Sequence, residues 1–201
     1  MSDKRVFVFD FDGTLTTRDT LIAFICFARG TVWFLRCLFL LLPRLVLMKL
    51  RLIDNGRTKE RLFSRCFKGM EEKAFGELCR RFAATAKPRI IRQEIWSVME
   101  NAIAKGCPVY IVSASVDNWV APFFDPTPLV NVVGTRVETA GGRLTGRFLT
   151  PNCYGPEKVR RLKEALPDLD SERSHYFITA YGDSRGDKEM LAYADESHDV
   201  G

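Results

Sequence analysis

The residues most suited to chemistry come in three clusters, each at the end of an apolar run. The first run, Arg5 to Phe11 (RVFVFDF), ends on carboxylates in Asp10-Phe11-Asp12-Gly13-Thr14. Two carboxylates this close, just leaving a strand, repel each other unless a cation or a proton separates their roles. Gly13 permits the tight turn that follows. The second run, Val109 to Val112 (VYIV), leads into Ser113-Ala114-Ser115. The third, Tyr176 to Ala180 (YFITA), leads into Gly182-Asp183-Ser184-Arg185-Gly186-Asp187, where one helical turn would aim Asp183 and Asp187 into the same cavity. An all-oxygen, carboxylate-rich donor set selects a hard cation, and Mg²⁺ is the natural choice when a phosphate completes its shell. Plainer roles exist for single residues: Ser113 as N-cap of a helix over Val116 to Phe124, Asp187 as a first-turn acid favoured by the helix dipole. They do not account for all the clusters together.

The elements that must position these groups follow from periodicity. Buried strands alternating with helices predict an α/β fold built on a parallel sheet, and in such sheets sites form beyond the carboxyl ends of the strands. Between the first two strands, the chain from about Asp19 to Lys105 reads as helical, too long for a simple crossover. Asp19 is placed to cap Leu21 to Arg29, with Gly30 as its stop. Asp54-Asn55-Gly56 reads as a turn and Thr58 as the cap of a helix through Phe67. Glu71 to Ala86 forms the next helix, and Pro88 begins another that reaches Lys105. Val130 to Val137 and Arg143 to Leu149 read as a hairpin around Ala140-Gly141-Gly142. Pro156 to Leu166 is helical, and Gly182 turns the third strand into a last helix.

Composition excludes several classes. With 201 residues, 46% hydrophobic and 27% charged, the chain is neither disordered nor fibrous. Its six cysteines form no C-x-x-C pair or zinc spacing, so reduced, mostly buried thiols are expected. A net charge of +5 is no nucleic-acid signature, and Trp33, Trp96 and Trp119 read as packing residues. Val6 to Phe9 is too short for a signal-peptide core, which makes the cytoplasm the default location.

With these clusters in place, the chain resembles the haloacid dehalogenase-like hydrolases, in the subfamily that includes phosphoserine phosphatase. FDFDGTLT (Phe9 to Thr16) matches the D-x-D-G-T signature. VYIVSAS supplies Ser113, NCYGPEKVRRL supplies Lys158, and GDSRGDKEML supplies Asp183 and Asp187, all in family order across essentially the whole chain. The resemblance implies a Rossmann-like parallel sheet flanked by helices, with an inserted all-helical cap of the C1 type. The core would be residues 1–16 and 88–201 and the cap residues 17–87. It implies a Mg²⁺-dependent phosphatase that hydrolyses a phosphomonoester through an aspartyl-phosphate. Asp10 would be the nucleophile and Asp12 the general acid and base. Ser113, the Ala114 N–H and Lys158 would hold the phosphoryl group. Asp10, the Asp12 carbonyl, Asp183 and Asp187 would hold the metal. Thr14 would support the loop. Asp12 favours phosphatase chemistry over dehalogenation, because dehalogenases of the family lack an aspartate there.

The substrate is expected in the cap. Ser113-Ala114-Ser115 and Gly186 depart from the phosphoserine phosphatase pattern, so phosphoserine itself is not the expected substrate. Asp19 is the nearest match to the acidic group that binds its amine. Thr31 to Ile53 is strongly apolar but interrupted by Arg36, Pro43, Arg44, Lys49 and Arg51. The preferred reading is a pair of core helices kinked at Pro43; the alternative is a surface in peripheral contact with a membrane. A similar segment in bacterial phosphatidylglycerophosphate phosphatases of the subfamily makes a lipid phosphate an alternative substrate. A phosphotransferase with an acceptor other than water is a further alternative. Asp195 to Asp199 reads as a polar tail, and one more apolar segment is expected at the sheet edge.

Overall fold

The computed structural model describes residues 4–37, 39–40 and 55–201. Its centre is a five-stranded sheet in the order β3-β2-β1-β6-β7. The strands are β1 (Lys4–Phe9), β2 (Val109–Val116), β3 (Val130–Thr135), β6 (Tyr176–Gly182) and β7 (Glu196–Asp199), and every pairing is parallel. The inner strands are apolar on both faces because helices cover both, and Val6, Val8, Phe9, Ile111, Val112, Ile178 and Ala180 are buried. Phe9 stands opposite Ile111 on one side and Tyr181 on the other. That register brings the carboxyl ends of β1 and β6 level, while β2 runs on past them to Val116.

Helices fill the connection from β1 to β2: α1 (Thr20–Arg29), α2 (Thr31–Cys37), α3 (Asn55–Phe67), α4 (Glu72–Ile90) and α5 (Gln93–Ala104). Asp19 caps α1 as expected, its carboxylate accepting from the Leu21 and Ile22 N–H groups, and Gly30 ends it. Two expectations fail here. Asn55 and Gly56 are helical, so Thr58 lies inside α3 and is not its cap. Pro88 lies in the last turn of α4 and does not start α5. A proline near a helix end forfeits one backbone bond, whereas the break is set by the chain returning to the core. There the Thr17 N–H donates to Ile90 O at 2.7 Å and the Arg92 N–H to Leu15 O at 2.9 Å.

The expected hairpin is divided. Val130 to Thr135 joins the main sheet as β3, and the antiparallel pair is β4 (Val137–Ala140) with β5 (Arg143–Phe148). This hairpin braces the insert: the Gly69 N–H donates to Leu144 O and the Glu72 N–H to Gly142 O. The expected helix from Val116 to Phe124 is shorter, with Val116 in β2, α6 at Asp117–Val120 and a 3₁₀ turn at Ala121–Phe123. Ser113 is therefore inside a strand and caps no helix. The C-terminal half contributes α7 (Pro156–Ala165) and α8 (Lys188–Tyr193). The polar segment taken as a tail is the edge strand β7, since an edge needs only one paired side and tolerates charge on the other. His198 stacks on Tyr181 with ring centroids 4.5 Å apart.

The cysteines are free thiols, and burial pushes those of Cys66, Cys79 and Cys153 up to about 12. Insert and sheet share one aromatic core. Phe24 of α1 packs on Phe67, Phe75 and Phe82 and stacks on Trp119 of α6, and Phe123 contacts both Phe82 and Phe11. The expected kink at Pro43, with Arg44, Lys49 and Arg51, lies outside the described residues. Among those described, no single helix is long and apolar enough to cross a membrane. Helices α1 and α2 pass that test only jointly, and they are bent by 116°.

Candidate active site

The site is built at the carboxyl ends of β1, β2 and β6. Asp10 follows β1, and its N–H donates to Tyr181 O at 2.9 Å. The chain then turns at Gly13, whose φ of 87° suits glycine and whose missing Cβ would lie 2.1 Å from Asp183 Oδ2. The turn after β1 thus lies directly against the acid after β6. Thr14, fully buried, donates its hydroxyl to Asp183 Oδ1 at 3.0 Å. The expected support of the loop by Thr14 extends to holding Asp183. On the β6 side, Asp187 comes back to the strand end through a short 3₁₀ turn, Arg185–Asp187, not an α-helical one. Ser184 and Asp187 cap that turn reciprocally. A Cβ at Gly182 would lie 2.5 Å from that of Asp187, so only glycine allows this return.

Lys158 comes from α7 and is buried at the centre of the site. Its ammonium donates to Asp10 Oδ1 and Asp187 Oδ1, both at 2.5 Å, and to Val112 O at 2.8 Å. Asp187 also accepts from the Ser184 N–H and hydroxyl. Burial works to raise the Asp187 carboxyl, but Lys158 and Ser184 outweigh it and hold it below the usual range. For Asp10 the balance goes the other way. Burial, reinforced by Asp187 and Asp12, outweighs Lys158 and pushes its carboxyl up to about 7.

Carboxylate oxygens of Asp10, Asp183 and Asp187 lie within 4.8 Å of one another. The cluster holds three acids and one lysine, which pairs with Asp10 and Asp187 but not Asp183, so it carries an excess of negative charge. Hard oxygen donors and uncompensated charge fit a divalent cation. The Asp12 carboxyl is outside this trio. Its Oδ1 accepts from the Thr20 N–H at 2.7 Å and its Oδ2 from the Ser115 hydroxyl at 2.5 Å. Ser113 is fully buried, with its oxygen accepting from the Ser115 N–H at 3.0 Å.

A cavity of about 320 Å³ opens over these groups, walled by Asp10, Asp12, Ala114, Lys158 and Asp183. Its rim adds Arg18, Asp19, Lys59 and Tyr154. Sequence reasoning assigned no role to Arg18, Lys59, Tyr154, Ser115 or Thr20. Their signal is spatial: Lys59 comes from α3, and Ser115 meets Asp12 across 103 positions of chain.

The geometry agrees with comparison to known proteins. The family model described as haloacid dehalogenase-like hydrolase matches residues 7–192. The chain belongs to that family and is a hydrolase of its kind. It is 36% identical over 190 residues to Protein CicA of Caulobacter vibrioides, covering 94% of this chain and 82% of that protein. In fold it is similar to a Bordetella pertussis Tohama I protein of unknown function, with a TM-score of 0.82, 18% identity, and coverage of 97% of this chain and 89% of that one. It is also similar to a phosphoserine phosphatase holding a phospho-aspartyl intermediate analogue, with a TM-score of 0.62, 18% identity, and coverage of 97% and 85%.

Proposed function

We propose that the protein is a Mg²⁺-dependent phosphomonoester hydrolase that works through a phosphorylated Asp10. The observation that carries this reading is the convergence of Asp10, Asp183 and Asp187 around Lys158 beneath a cavity that also admits Asp12. The fold relative that carries a phospho-aspartyl analogue supports it. Asp10, Asp183, Asp187 and the Asp12 carbonyl would hold Mg²⁺, which offsets repulsion between an anionic nucleophile and an anionic phosphate.

In the first half-reaction a carboxylate oxygen of Asp10 bonds to phosphorus, and the bond to the leaving oxygen breaks with its electron pair. The Asp12 carboxyl supplies the proton which that oxygen takes. In the second, Asp12 removes a proton from water, the water oxygen bonds to phosphorus, and the acyl-phosphate bond breaks. Inorganic phosphate leaves and Asp10 is restored. Lys158 keeps Asp10 in place, and the Ala114 N–H on the cavity wall would hold the phosphoryl group, whereas the Ser113 hydroxyl is fully buried and does not line that cavity. The test is p-nitrophenyl phosphate turnover. Activity should vanish in EDTA, return with Mg²⁺, and be lost in Asp10→Asn. Turnover that survives either change would refute the mechanism.

A second reading concerns where the substrate resides. Val32, Leu35, Phe39 and Leu40 are exposed, and the stretch from Thr20 to Ile53 has basic residues but no acidic one. This pattern favours a phosphomonoester presented at an anionic membrane surface. Cosedimentation with phosphatidylglycerol vesicles, weakened by Phe39→Glu, would support it. Absence of vesicle binding would restrict the enzyme to soluble substrates.

A further inference from the structure

Asp12 is held at both oxygens, and the two donors come from different parts of the chain. Thr20, the first residue of α1 in the insert, supplies its N–H to Oδ1. Ser115, near the end of β2 in the core, supplies its hydroxyl to Oδ2. Behind Ser115 the contacts continue. Its oxygen lies 3.2 Å from Thr20 Oγ1, and the Trp119 indole N–H donates to Thr20 Oγ1 at 3.3 Å. Thr20, Ser115 and Trp119 are all buried.

The direction of this chain follows from the donor inventory. An indole N–H only donates, and each hydroxyl has one proton to give. Ser115 spends its proton on Asp12, so its oxygen receives the Thr20 proton, and Thr20 in turn receives from Trp119. Each hydrogen bond points toward the carboxylate, and chained bonds of one polarity strengthen one another. A carboxylate has about four lone-pair sites. Those not taken by Thr20 and Ser115 remain on the cavity side, to carry the proton that passes to a leaving oxygen or to accept one from a water.

We infer that Trp119, Thr20 and Ser115 form a positioning relay that fixes the Asp12 carboxyl for proton transfer and thereby sets how poor a leaving group the enzyme can expel. The inference rests on the proposed acid-base role of Asp12. None of the three touches the reacting atoms; they act through the orientation of one carboxyl. A displaced acid matters most when the departing oxygen is strongly basic, as in an alkyl phosphate. It matters least for nitrophenolate, which departs with little help.

The experiment compares kcat/KM for β-glycerol phosphate and p-nitrophenyl phosphate in the Mg²⁺-loaded protein. That parameter covers the steps through departure of the leaving group. Asp12→Asn should cost roughly 10²-fold or more on the alkyl substrate and far less on the aryl one. Ser115→Ala should cost roughly 10-fold on the alkyl substrate and under about 3-fold on the aryl one. Thr20→Val, which keeps shape and backbone, should discriminate in the same direction, and it decides the matter if Ser115→Ala fails to fold. In the Asp12→Asn background neither change should lower alkyl turnover further. Equal losses on both substrates, or an additive loss in that background, would overturn the relay while leaving the acid intact. Failure of Asp12→Asn to discriminate would remove the acid and the relay together.

Discussion

Lys158 Nζ stands 2.5 Å from Asp187 Oδ1 and equally close to Asp10 Oδ1, so a single ammonium joins the ends of two neighbouring strands. All three groups are buried, and their charges depend on one another.

Removing that ammonium should harm both folding and catalysis. Lys158→Met keeps most of the length of the side chain but leaves two buried acids facing each other without a cation. Breaking a buried pair in this way costs about 3–5 kcal/mol. Urea unfolding of the metal-free variant should show a loss of that size, and turnover should fall by about 10²-fold or more. A stability equal to wild type would mean that Lys158 does not compensate Asp10 and Asp187.

The pH dependence of metal binding follows from Asp10. Its folded value is raised by burial to about 7, above its unfolded value, so the ionised form is disfavoured in the folded protein. Without metal, Asp10 therefore favours the native state most below its unfolded value. That contribution is lost as pH rises through about 7. Asp187, held low, acts oppositely: its contribution is present above the unfolded value and is lost as pH falls through the lowered one. A ligating carboxylate must be ionised. Calorimetry with and without Mg²⁺ should thus show a larger rise in Tm at pH 8 than at pH 5. Equal rises would contradict the raised Asp10.

Gly13→Ala should disable the site without touching a chemical group. The alanine would adopt a left-handed conformation costing about 1–2 kcal/mol, and its methyl would displace the Asp183 carboxylate. Isothermal titration should show Mg²⁺ binding weakened by about 10-fold or more. Unchanged affinity would exclude Asp183 from the metal site.

Arg18 and Lys59 line the cavity rim and form no ion pair among the described residues. A substrate with a second anionic group beyond the scissile phosphate would engage them. Arg18→Ala and Lys59→Ala should each raise KM for such a substrate by about 5-fold with little change in kcat, and added salt should shrink the difference. A neutral-tailed phosphate should be unaffected. Equal effects on both tails would assign these cations to the phosphate itself.

The strands that carry Asp10, Ser113 and Asp183 were legible because strands buried on both faces are continuously apolar. The cap at Asp19 and the stop at Gly30 were legible because each acts within a few residues. Strand β7 was not, because Glu196 and His198 carry no apolar signal and earn their place only by pairing with β6. Pro88 misled because the chain breaks where Ile90 and Arg92 meet the segment after β1, a contact no local rule contains. Lys158 was legible as a candidate site residue by its place in the motif order. Its bonds to Asp10 and Asp187 depend on topology, as does the hold of Thr20 and Ser115 on Asp12.

The aromatic core has a consequence for building new enzymes from this one. Phe24, Phe82, Trp119 and Phe123 interlock across the boundary between insert and sheet, so the insert has no cleanly separable underside. A chimaera that transplanted it alone onto a relative's catalytic core would strand Phe24 and Phe82 without their partners. Recombination should succeed only when the crossover points also carry α6 and its following turn, making the smallest exchangeable unit discontinuous in sequence.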